Sequence, residues 1–181
     1  MADFVFLIGP GGAGKSTVGK FLAARLGYAK VDLDDEFCER ILNIREFIAL
    51  NGYESYLLEN AKLLEALLEE AEADSVFILS SGFLATDIRP DIVARNRKRV
   101  AESGTSVLLM PSRDYQQAVN CIVERQLQRG FGLKRESEIA KFSQRFEAYL
   151  LSGDVQIFSM AAPEAIAASI FDELNSRRVA Y

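Results

Sequence analysis

Eight consecutive residues, Gly9-Pro10-Gly11-Gly12-Ala13-Gly14-Lys15-Ser16, carry the plainest chemistry in the chain, and Thr17 extends them. Their spacing fits G-x-x-x-x-G-K-[ST], a loop whose backbone N–H groups turn inward on phosphate oxygens. Gly9, Gly11, Gly12 and Gly14 give the backbone the freedom to curl, with Ala13 carried inside the loop. A helix opening near Lys15 adds the positive end of its dipole. Lys15 supplies a mobile charge for the β- and γ-phosphates, and the Ser16 hydroxyl is placed to ligate Mg²⁺. This set predicts binding of a nucleotide such as ATP and names no phosphate acceptor.

Two carboxylates, Asp32 and Asp34, follow a short apolar segment. One can hold a magnesium-bound water; the other can take a proton from a substrate hydroxyl. The plainer reading of Asp32, Asp34, Asp35 and Glu36 is an acidic helix start that favours the dipole. The chain has no histidine, so the commonest general base is missing and Asp34 is the best candidate for that role. Downstream, Arg125, Arg129, Lys134 and Arg135 surround Gly130-Phe131-Gly132. They read as a lid with Arg129 reaching the transferring phosphoryl group, or as ordinary helix-end charges before a loop. Arg145 and Tyr149 lie one turn apart and either line a pocket or leave Arg145 paired with Glu138 or Asp154. Arg95, Arg97, Lys98 and Arg99 read as a solvated helix face.

The elements that must position these groups alternate. Apolar runs at 4–8, 28–31, 76–79, 106–110 and 155–158 read as strands. Helical periodicity covers 15–26, 35–42, 44–50, 53–71, 91–102, 112–129, 137–151 and a last helix opening at Pro163. Such alternation predicts an α/β fold with a parallel sheet and helices on both faces, ligands binding beyond the carboxyl ends of the strands. The 181 residues, without linker or repeat, suit one domain over 1–181.

The formal charge of −5 argues against a nucleic-acid or anionic-membrane partner. No apolar run is long enough to span a bilayer, and no signal peptide is visible. Cys38 and Cys121 fit no metal spacing and are expected as buried thiols of a cytoplasmic protein. A monomer is expected.

Gly9-x-x-Gly12-x-Gly14-Lys15-Ser16-Thr17-Val18-Gly19, then Leu22-Ala23-x-x-Leu26-Gly27, then Asp32-x-Asp34, resembles the shikimate kinase family. The resemblance implies a P-loop three-layer sandwich, with a five-stranded parallel sheet in the order 2-3-1-4-5. It also implies a short lid at about 129–137 and a substrate-binding region at about 34–60. By the same resemblance ATP and Mg²⁺ are the cofactors, and the γ-phosphate goes to a hydroxyl of shikimate or a related metabolite. Position by position, it gives Asp34 contact with the substrate hydroxyls and Asp32 a role with magnesium. Gly82 matches the last glycine of a turn after the third strand, which makes Ser81 and Gly82 substrate contacts. Arg125 and Arg129 fall at the phosphate side, Arg129 as the lid arginine. Arg145 falls where an arginine binds the substrate carboxylate, and Pro163 near the adenine.

The chain departs from the pattern at the acceptor end. Leu57 stands where the family has a second carboxylate-binding arginine, and Ser80-Ser81 replace two glycines. The lid lacks the usual Arg-Pro pair. Arg45 can replace the missing arginine only if the fold brings it round. Two other readings compete: a gluconate-kinase-like sugar-acid kinase, and a nucleotide-binding regulatory module without transfer activity.

Overall fold

The computed structural model describes residues 2–179. Five parallel strands form one sheet in the order β2-β3-β1-β4-β5. β1 (Phe4–Ile8) lies at its centre, between β3 (Ser75–Ile78) and β4 (Thr105–Met110). Its continuous apolar run is what a strand covered on both sides requires, and Val5, Phe6, Leu7 and Ile8 are all buried. Phe6 pairs in register with Phe77 and stacks on it at 5.4 Å between ring centroids. β2 (Ala29–Asp32) and β5 (Val155–Phe158) are the edges.

The helices follow from the order of the strands. α1 (Lys15–Leu26) joins β1 to β2 in one direction across the sheet. The three remaining crossovers run the other way. They carry α2 (Leu33–Arg40), α3 (Ile44–Asn51) and α4 (Tyr53–Glu70), then α5 (Pro90–Ser103), then α6 (Tyr115–Leu127) and α7 (Arg135–Leu150). Right-handed crossovers therefore put α1 on one face and these groups on the other. α8 (Pro163–Val179) returns to pack on α1. The expected fold class and strand order are thus observed.

Element ends shift by a few residues from the sequence reading. α6 starts three residues later than expected, and residues 135–137 form the first turn of α7, so the connection from α6 is 128–134 rather than the expected 129–137. One expectation fails. Cys38 is exposed and Cys121 only partly buried, because α2 turns Leu33 and Phe37 inward and leaves Cys38 outside.

Candidate active site

The phosphate loop runs from the end of β1 to the start of α1. Gly9 leaves the strand with φ 143°, where a Cβ would lie 2.3 Å from the Leu109 carbonyl oxygen. Only glycine lets β1 pass β4 so closely at this point. Gly11, Gly12, Gly14, Lys15, Ser16 and Thr17 then line a cavity of about 360 Å³. Gly9 and Ala13 shape the loop without lining it. Lys15 is buried, and its Nζ donates to the carbonyl oxygens of Gly9 at 2.7 Å and Pro10 at 3.0 Å. Burial lowers its pKa to about 8, against the opposing pull of Asp34 and Asp32.

Asp32 ends β2 and caps α2. Its Oδ1 accepts from the Asp34 backbone N–H at 3.2 Å, and its Oδ2 accepts from the Ser16 hydroxyl at 2.6 Å. Both side chains line the phosphate cavity. A hydroxyl and a carboxylate are hard oxygen donors, and two of them beside a phosphate site suit Mg²⁺, which keeps most of its shell as water and phosphate. No cluster of three acidic, Cys or His side chains occurs among the described residues, so the donor set offers no all-protein cage.

Asp34 is the second residue of α2, with its Oδ1 accepting from the Ser80 hydroxyl at 2.5 Å. Burial raises its pKa; the Ser80 hydrogen bond and the Lys15 charge oppose the rise. Asp34 lines both the phosphate cavity and a second one of about 550 Å³. Ser81, Gln126 and Arg129 are also shared between the two.

The second cavity lies between α3, α4 and α7. Tyr53, Tyr56, Ser80, Arg45 and Arg145 bring its polar atoms, and Ile44, Ile48, Ile88 and Leu133 its apolar wall. Arg145 is 7% exposed, donates to the Tyr53 hydroxyl at 3.1 Å, and leaves its Nε without a partner. The two acids named as possible partners are engaged elsewhere. Glu138 pairs with Lys141 at 2.7 Å, and Asp154 accepts from the backbone and hydroxyl of Ser106. A buried guanidinium without a carboxylate is costly unless an anion joins it. Gly82 backs this arrangement: a Cβ there would come within 2.4 Å of the Tyr53 hydroxyl and 3.2 Å of the Arg145 guanidinium carbon.

The remaining predicted residues separate. Arg125 donates to the Gly12 carbonyl at 3.2 Å and lines the phosphate cavity. Arg129 donates to Gln126 at 3.0 Å and faces both cavities. Pro163 opens α8 and lines neither cavity. Leu57, 2% exposed, belongs to the core, while Arg45 on α3 is brought to the acceptor-side cavity beside Arg145. Its guanidinium stacks on the Phe131 ring at 3.5 Å, with Arg129 near the same ring at 5.0 Å.

Sequence reasoning missed Tyr53 and Tyr56 as cavity residues, because their helical spacing marks them equally well as core. It missed Asn60 and Gln126 too. Each carried a signal: a polar residue inside an apolar helix stripe, buried in the structure at 1% and 8% exposure.

The shikimate kinase family model matches residues 11–175. The chain belongs to the shikimate kinase family. Over 112 residues it is 37% identical to the pentafunctional AROM polypeptide of Kluyveromyces lactis, covering 58% of this chain and 6% of that protein. Over 80 residues it is 41% identical to the AROM polypeptide of Eremothecium gossypii, covering 43% of this chain and 5% of that one. The chain thus spans about a twentieth of the length of these curated relatives. Among solved structures, it resembles the shikimate kinase from Acinetobacter baumannii in complex with shikimate. That match has a TM-score of 0.81 and 21% identity over 98% of this chain and 95% of that one. A gluconokinase from Sinorhizobium meliloti matches with a TM-score of 0.58 at 17% identity, over 97% of each chain. At these identities the structural matches speak for the fold alone.

Proposed function

We propose that this member of the family is an ATP-dependent kinase that moves the γ-phosphoryl group to a hydroxyl of a small anionic metabolite, shikimate being the first acceptor to test. One observation carries the reading: Asp34 and Arg129 line the phosphate cavity and the neighbouring cavity at once. A hydroxyl held at Asp34 therefore lies on the γ side of a nucleotide seated on the loop.

Lys15 leaves the Gly9 and Pro10 carbonyls to meet the β- and γ-phosphates, where the added negative charge restores its proton affinity. Arg129 reaches the transferring phosphoryl group from the lid side. Asp34 holds the acceptor hydroxyl, accepts its proton as the new O–P bond forms, and ADP leaves. Ser16 and Asp32 are the residues that would hold Mg²⁺, which would neutralise phosphate charge there. Most of the rate comes from positioning and fixed charge, as in phosphoryl transfer generally.

At the acceptor end, Arg145, buried without a carboxylate and with its Nε free, calls for an anion, and Arg45 supplies a second cation from α3 where α4 offers Leu57. Phe131, on the connection after α6, stacks on the Arg45 guanidinium. ATP use and two free cysteines support a cytoplasmic setting.

ADP release against a panel of hydroxy acids, cyclitols, sugars and nucleosides tests the reading. An anionic hydroxylated acceptor, shikimate first, is expected to turn over. Lys15→Ala and Asp34→Asn should each cut kcat by roughly 100-fold or more. An unchanged rate in Lys15→Ala, or ATP binding with no turnover on any acceptor, would defeat it.

A further inference from the structure

The floor of the acceptor cavity is a chain of hydrogen bonds whose direction can be derived. The Asp34 carboxylate can only accept, so the Ser80 hydroxyl spends its single hydrogen on Asp34 Oδ1 at 2.5 Å. The Ser80 oxygen must then accept from whatever faces it on α4. That partner is Asn60, 2.9 Å away, and the facing atom has to be the amide nitrogen. The same nitrogen has a second hydrogen. It goes to the Tyr56 hydroxyl oxygen at 3.2 Å, one turn earlier on the helix.

Asn60 thus occupies an oxygen lone pair on each of its two neighbours. It does so while its own Oδ1 stays buried and unpartnered. Flipping the amide would set its carbonyl against the Ser80 lone pairs at 2.9 Å and keep only a bond from the Tyr56 hydroxyl, so the Ser80 contact decides the orientation. Among the described residues the Tyr56 hydroxyl makes one hydrogen bond of good geometry, the one it receives from Asn60, with Ser80 the nearby hydroxyl whose hydrogen is already spent on Asp34. Tyr56 lines the acceptor cavity beside Ser80 and Asp34. Burial, and after it the Asp34 charge, push its phenol well above the ordinary value, so it keeps its proton. A neutral donor and an anionic acceptor therefore face the same space.

Building on the kinase reading above, we infer that Tyr56 is a specificity-determining residue: it donates a hydrogen bond to an oxygen of the phosphate acceptor next to the hydroxyl that Asp34 engages, and Asn60 fixes the direction of that bond. The acceptors favoured are those with two neighbouring oxygens, one a hydroxyl that donates to Asp34 and one with a free lone pair for Tyr56. Asn60 is a positioning residue, acting through Tyr56 and Ser80.

Steady-state kinetics on the acceptor that the wild-type enzyme turns over fastest in the panel above test this. Tyr56→Phe deletes one oxygen and should raise the acceptor KM on the order of tenfold, with the KM for ATP unchanged and the melting temperature slightly lower, since one buried Asn60 hydrogen loses its acceptor. Asn60→Leu keeps the size of the side chain but frees the Tyr56 hydroxyl to turn toward Ser80. It should raise the acceptor KM several-fold in the Tyr56 enzyme and add nothing in the Tyr56→Phe background. A Tyr56→Phe enzyme with its acceptor KM within twofold of wild type overturns the proposal. So does an Asn60→Leu effect that persists in full in the double variant. If Asn60→Leu folds poorly, Tyr56→Phe alone decides. A wild-type enzyme inert on the whole panel is a different result: it defeats the kinase reading and this inference falls with it.

Discussion

Lys15 is a charged group held where charge is disfavoured. Burial lowers its pKa to about 8 from the 10.5 of a free lysine. Below pH 8 the folded and unfolded chains both carry the proton, and the fold bears the full cost of burying it. Between pH 8 and 10.5 the folded state gives up that proton first, so the unfolded state binds more protons and stability rises with pH. The difference is worth on the order of 3 kcal/mol. Lys15→Met removes the charge and keeps the length. At pH 7 it is expected to be more stable than wild type by about 1–3 kcal/mol, with no kinase activity, and the gap should close toward pH 10. Urea midpoints of the two proteins across this range measure it. A less stable Lys15→Met would mean that the Gly9 and Pro10 hydrogen bonds outweigh desolvation.

At the scale of elements, α4 shows what the sequence made legible and what it did not. Its apolar spacing predicts a long helix over 53–71 with Tyr53, Tyr56, Leu57, Leu64, Leu67, Leu68 and Ala71 on one side; the middle five are buried, while Tyr53 and Ala71 at the two ends are only partly so. The phosphate loop was legible because the backbone geometry it needs restricts residue types at fixed spacing. The acceptor cavity was not, because it is assembled from α3, α4, α7 and the turn after β3, far apart in the chain. Periodicity assigns Tyr53 and Tyr56 to an inward face without distinguishing core from cavity. Nor could spacing reveal that Arg45 and Arg145 converge. The burial of Leu57 yields a prediction of its own. Leu57→Arg does not rebuild a carboxylate clamp; it places a charge in a core position 2% exposed. It should destabilise the protein by more than about 3 kcal/mol, read from denaturant midpoints, without lowering the acceptor KM. A stable variant with tighter acceptor binding would show that α4 can turn this position toward the cavity.

For the whole molecule, the strand order places every predicted chemical group except Pro163 around two adjoining cavities at one end of the sheet. The partition is uneven in sequence terms. The phosphate cavity has one continuous stretch, residues 11–17, joined by groups after β2 and β3 and at the end of α6, while the second cavity is assembled from short pieces scattered between residues 34 and 145. This is why residues near the loop resemble the family so clearly while Leu57 and Ser80 depart from it. The family model nonetheless matches from residue 11 to residue 175, and thus spans both sides.

Asp34, Ser81, Gln126 and Arg129 line both cavities at once and form a party wall between them. Two cavities that share a wall make the protein a candidate bivalent receptor. An inhibitor that joins a nucleotide to an acceptor analogue through a short phosphate bridge could fill both cavities at once, its second half binding at an effective concentration set by the bridge. Such a compound is expected to bind about 100-fold or more tightly than the better of its two halves. Calorimetry with the linked and unlinked ligands checks this: affinity no better than that of the nucleotide alone would mean that the two cavities do not fill together.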